Sequence, residues 1–66
     1  MTADQFAEAC DQRASEVAQQ HDWLMVDAAE QLVIKGRTTW RYFFEGTACY
    51  LDVWLCEGQI RHKLSK

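Results

Sequence analysis

The chain is predicted to fold as an α+β domain, one N-terminal helix packed on a three- to four-stranded antiparallel meander. Three observations carry this. Residues 3–21 hold helix formers with one narrow apolar stripe. The C-terminal half alternates β-branched and aromatic residues with polar ones, and Gly36, Gly46 and Gly58 punctuate it. With 66 residues the chain is long enough for one small core and too short for two, so residues 1–66 are read as a single domain.

In the helix, Phe6, Cys10, Ala14, Val17 and His21 follow each other at intervals of three or four and so share a face. Thr2 or Asp4 is placed to cap its start. The opposite face carries Asp4, Glu8, Asp11 and Glu16 among glutamines.

The sheet, about residues 31–64, is read from its turns. A two-residue type II′ turn at Gly46-Thr47 pairs Glu45 with Ala48, Phe44 with Cys49, Tyr42 with Leu51 and Trp40 with Val53. On the other face it pairs Phe43 with Tyr50 and Arg41 with Asp52. A tight turn at Glu57-Gly58 pairs Leu55 with Ile60 and Leu51 with Leu64, and on the other side Trp54 with Arg61 and Asp52 with Lys63. Both turns yield apolar pairs on one face and complementary charges on the other, and a slip of one residue destroys this agreement.

Residues 22–35 allow two readings. With Asp22 as a cap and Gly36 as a stop they form a second helix, giving two helices before a three-stranded sheet. Alternatively Trp23–Asp27 and Gln31–Lys35 form one long or broken strand; Leu32-Val33-Ile34 and the Gly36 rhythm favour this. The resulting order, a helix and then a meander, is similar to that of cystatin-like folds. The resemblance is one of topology only. Gln31-Leu32-Val33-Ile34-Lys35 lacks the glycine that closes a cystatin's Gln-x-Val-x-Gly hairpin, and the chain has no proline, so no protease inhibition is carried over.

Charge is unevenly divided. The net charge is −3, yet residues 1–22 hold five acids against Arg13, and residues 23–66 hold five acids and six bases. A generic nucleic-acid binder is expected to be basic. No apolar run approaches the ~20 residues of a membrane span, and Met1-Thr2-Ala3-Asp4 does not read as a signal peptide. A cytoplasmic location with reduced thiols is therefore expected.

Soft ligands and nucleophiles do not converge. Cys10, Cys49, Cys56, His21 and His62 contain no Cys-x-x-Cys or His-x₃₋₅-His spacing, so no metal is expected. Cys10 and Cys49 read as small buried hydrophobes, and Cys56 as an outward-facing thiol near a turn. His62 falls on the inner face opposite Val53, away from Asp52 and Cys56, which excludes a Cys–His–Asp arrangement from these strands. No phosphate loop or nucleophile elbow is present. The chain is read as no enzyme, with no cofactor. A ligand cavity between helix and sheet near His62 and Trp40 is not expected in so small a core.

What remains is the outer sheet face. One helix covers one side of a sheet, so Arg37, Arg41, Phe43, Tyr50, Trp54, Arg61 and Lys63 are left facing outward as candidate partner-binding residues, with Trp54 beside Arg61 for a cation–π contact. Aromatics and arginine are the residues enriched at protein interfaces. The expected function is a small protein-interaction module that self-associates, as a homodimer, or modulates a larger protein; an inhibitor of a host complex from a phage or mobile element fits such a chain. The alternative is single-stranded nucleic-acid binding, with bases stacked on Tyr50, Trp54 and Phe43 and phosphates on the basic residues.

Overall fold

A capping box starts the chain. In the computed structural model, which describes residues 1–26 and 28–66, Thr2 Oγ1 accepts the Gln5 backbone N–H at 3.2 Å and Gln5 Oε1 accepts that of Thr2 at 2.9 Å. Thr2 is thus the cap, and Asp4 adds its charge to the first turn. Helix α1 runs Ala3–His21. It stops because Asp22 turns left-handed (φ 58°), letting Trp23 N–H reach Ala18 O at 2.9 Å and Asp22 N–H reach Gln19 O at 3.2 Å. This is a Schellman ending with aspartate where glycine is usual. Asp22 therefore ends the first helix and does not begin a second.

Four strands follow, β1 (Glu30–Ile34), β2 (Arg37–Phe43), β3 (Tyr50–Cys56) and β4 (Gln59–Ser65), paired antiparallel in chain order. The α-β-β-β-β arrangement and the meander are those predicted. So is the register: Trp40 faces Val53, Arg41 Asp52, Tyr42 Leu51, Phe43 Tyr50, Leu55 Ile60, Trp54 Arg61, Asp52 Lys63 and Leu51 Leu64. The hairpins at Lys35-Gly36 and Glu57-Gly58 have both central residues at positive φ, as type I′ turns require.

One turn departs from expectation. Gly46-Thr47 is not a two-residue II′ loop, and Glu45–Ala48 and Phe44–Cys49 do not pair. Instead Thr47 N–H bonds to Phe44 O at 3.4 Å, which puts Gly46 (φ 71°) third in the turn. The Thr47 hydroxyl donates to Phe44 O and accepts the Cys49 N–H, both at 3.2 Å. The reason is a competitor for the end of β2. Met25 bridges Phe44, with Val26 N–H on Phe43 O at 2.8 Å and Glu45 N–H on Leu24 O at 2.9 Å. Of the broken-strand reading of residues 22–35, the second piece is met by β1 (Glu30–Ile34), while residues 23–26 form no strand and only the single Met25 bridge; Asp27 lies outside the described residues.

Helix α1 crosses β2, β3 and β4. Cys10, Ala14, Val17 and Ala18 meet Tyr42, Phe44, Leu51 and Val53 in a buried core, with Phe6, Trp23, Met25, Trp40, Ile60 and Leu64 packed around it. The helix side is small and the sheet side large, which is how two layers interdigitate without voids. Two placements differ from the stripe read earlier. Ala18 is buried and His21 is exposed, stacked on Trp23 at 4.3 Å between centroids. Cys49, expected buried, is only half-buried because it sits in the loop. Among the described residues no helix is long and apolar enough to cross a membrane.

Candidate interaction face

Odd-numbered residues of β2 and even-numbered residues of β3 point away from the helix, since side chains alternate along a strand. Arg37, Thr39, Arg41, Phe43, Tyr50, Asp52 and Trp54 therefore share the outer face, and Arg61 and Lys63 extend it on β4. The described elements leave this face without a second layer: α1 packs on the opposite side.

The seven predicted residues are brought together, but not all as expected. Arg61 lies opposite Trp54 in register, yet its guanidinium donates to Gln59 Oε1 at 3.2 Å. The cation over the Trp54 ring is Arg37, 4.6 Å from the centroid. Arg41 stands over Tyr50 in the same way at 4.3 Å. Both contacts are diagonal, from a β2 residue to the ring two places before the one directly opposite it. Diagonal neighbours lie within reach of long and aromatic side chains, so the signal for Arg37 was present in the register. Each stack is worth about 0.5–1 kcal/mol at an exposed site.

Asp52 binds Arg41 side-on and bidentate, Nε to Oδ1 at 2.8 Å and Nη2 to Oδ2 at 3.1 Å. That hydrogen bond is the main cause holding the Arg41 guanidinium above its ordinary pKa. Among the described residues it is the one ion pair; Lys63, opposite Asp52, is exposed and makes none. Phe43, Tyr50 and Trp54 are half-buried by these neighbours, and Arg61 and Lys63 are exposed.

Between the two stacks the face is concave. A cavity of about 210 Å³ is lined by Arg37, Thr39, Arg41, Tyr50, Asp52, Trp54 and Lys63, with Lys35, Ile34 and Ser65 at its rim. Thr39, only 2% exposed, is a residue whose burial the sequence did not announce; its hydroxyl donates to Arg37 O at 3.2 Å. Two covered donors here have no acceptor, Arg37 Nε and Trp54 Nε1.

The helix side carries its own polar contacts. Tyr42 OH donates to Asp11 Oδ1 at 2.6 Å, tying sheet to helix. Burial, followed by that bond and the carboxylate's charge, holds the phenol far above its usual range. Arg13 Nη1 lies 3.0 Å from His62 Nδ1; arginine has no acceptor, so the ring nitrogen accepts. His62 is exposed rather than packed between Ile60 and Leu64. A cavity between helix and sheet does exist, contrary to expectation. It is an open groove of about 440 Å³ beside Trp40, Tyr42, Asp11 and Ala28, away from His62. It forms because α1 does not reach β1. Cys10, Cys49 and Cys56 are free, and among the described residues no three His, Cys, Asp or Glu side chains gather as a metal site would need.

No protein-family profile matches the chain, nor does any curated protein or solved structure.

Proposed function

We propose that this chain is a small non-enzymatic interaction module. It uses the outer sheet face to grip a protein, a second copy of itself or a larger partner whose activity it modulates. The observation that supports this is the arginine–aromatic lattice of Arg37, Trp54, Arg41 and Tyr50 on a face no described element of the chain covers. Rigid rings and delocalised guanidinium groups are the side chains that anchor interfaces, because they bury large area for little lost rotamer freedom. The concavity between them gives that face relief, and a flat solvated sheet offers none.

Single-stranded nucleic acid is the competing occupant. The same rings offer stacking platforms. The acidic helix and the net charge of −3 oppose a polyanion, and the arginine beside Tyr50 already holds Asp52.

Light scattering after size exclusion, for the free chain and with candidate partners, tests the reading. Replacing Tyr50 and Trp54 by serine is expected to abolish the complex, whether with itself or with the partner, and to leave the far-UV spectrum unchanged. A folded double variant that associates as the parent does overturns the reading. Oligonucleotide binding that falls steeply with salt supports the competing one.

A further inference from the structure

The outer face repeats one arrangement twice, and one copy lacks a part. Arg41 stacks on Tyr50, the ring two places before its direct partner Asp52, and Asp52 takes its Nε and Nη2 donors. Arg37 stacks on Trp54 from the same diagonal at nearly the same distance, 4.6 Å against 4.3 Å. The Thr39–Trp54 register continued by two residues puts Cys56 opposite Arg37, where the first copy has its carboxylate. Accordingly Arg37 Nε, the donor that Arg41 gives to Asp52 Oδ1, has no acceptor, and the adjacent indole Trp54 Nε1 has none either.

We infer that Arg37 and Trp54 form a seat for one carboxylate of an acidic, extended segment of a partner protein. The proposal rests on the interaction reading above and names the partner's chemistry. Both stacks line the same concavity, with Lys63 and Lys35 adding charge around it. Its volume of about 210 Å³ is below the roughly 300–1,000 Å³ of small-molecule pockets, which suits a side chain and not a free ligand. The side-on fork that Arg41 shows with Asp52 is the geometry by which arginine selects carboxylates. Arg37 is half-buried on an open face, so a small swing of its side chain brings Nε to an incoming acid. A polynucleotide needs a track of cations, and here one seat is vacant beside an acidic helix.

The test is a titration of the whole chain, labelled with ¹⁵N, at low salt. The probe is a blocked decapeptide of Glu and Asp; a Gln/Asn peptide of equal length and oligothymidylate are the comparisons. Arginine Nε–H and indole Nε1–H give their own resonances. The acidic peptide is expected to move those of Arg37 and Trp54 and leave the Trp23 indole still, and the Gln/Asn peptide is expected to move neither. Arg37→Ala is expected to weaken binding roughly 10- to 100-fold, the worth of a charge-assisted bond. Cys56→Asp supplies the missing carboxylate from within, so it is expected to weaken the peptide by a similar factor with the fold intact; Cys56→Ser is expected to keep the affinity. The proposal is overturned by no shift of the two resonances at millimolar peptide, by undiminished binding in Cys56→Asp, or by tighter binding of oligothymidylate at the same atoms. If the seat fails this test but the Tyr50→Ser, Trp54→Ser variant still loses its complex, the interaction reading survives without the carboxylate. If the seat binds and that variant keeps its complex, the reverse holds.

Discussion

Raising the pH from 8 to 11 is expected to destabilise this chain through two neighbouring core side chains. Cys10 is fully buried, and burial, aided by the charge of Asp11, pushes its thiol from the ordinary 9.0 up to about 11. Tyr42, 3% exposed, is held protonated still further by burial and by its bond to Asp11. Both groups have raised values in the native state. The unfolded chain releases these protons first, near pH 9 for the thiol and near 10 for the phenol, so it binds fewer protons and gains on the native state as pH rises. Their contribution is complete below about pH 9. For Cys10 it is lost between 9 and about 11, on the order of 3 kcal/mol for a rise of about two pH units. A domain of this size has about 3–10 kcal/mol in total, so this one thiol is a large share. Urea unfolding followed by tryptophan fluorescence at several pH values, with a thiol reductant present, measures it. Cys10→Ala is expected to be weaker by about 1 kcal/mol at neutral pH, from the lost sulfur contacts. It is also expected to lose less as pH rises, so that its stability overtakes the parent's near pH 10. Parallel curves for parent and variant between pH 8 and 10 refute the reasoning.

Three further outcomes follow from local geometry. Asp22→Gly is expected to stabilise by about 1 kcal/mol, because it removes both a left-handed aspartate and a negative charge at the helix C-terminus. A melting point raised by about 4–8 °C checks it. Glu57→Asn, at the first central position of a type I′ turn, is expected to raise the urea midpoint by the equivalent of about 0.5–1 kcal/mol. A double-mutant cycle of Tyr42→Phe and Asp11→Ala is expected to give a coupling of about 1.5–3 kcal/mol. Asp11→Ala is the costlier single change, since it leaves a buried hydroxyl unpaired whereas Tyr42→Phe leaves an exposed carboxylate that water satisfies.

What the sequence made legible was decided by local rules. Thr2 was readable as a candidate cap because caps act within one turn of chain, and the inner and outer sets of β2–β4 because alternation has a period of two; Asp22, read as the cap of a second helix, instead ends the first. What escaped was decided between distant segments. Nothing near Gly46 reveals that Leu24–Val26 takes the backbone of Phe43–Glu45, and that contest opened the loop and left Cys49 half out of the core. Thr39 reads as an ordinary outward threonine until Arg37 and Trp54 close over the sheet beside it. The seven residues read as outward share one face of the sheet; their pairing was read straight across the strands, and the long side chains join on the diagonal.

That diagonal is why the face is more than a row of cross-strand pairs. Directly opposed charges such as Arg41 and Asp52 satisfy each other and contribute little, about 1 kcal/mol or less near a surface. A diagonal stack leaves the position straight across the ladder open for an acid. At Arg41 the chain fills that position itself, with Asp52. At Arg37 the register offers Cys56, whose single sulfur cannot supply the pair of oxygens that the fork needs. The small residues of α1 that close over the inner face bring the helix's acids to that side too, away from Arg37. No described carboxylate of the chain itself stands within ion-pair distance of this arginine, which is why the acid proposed for it is one carried by another molecule.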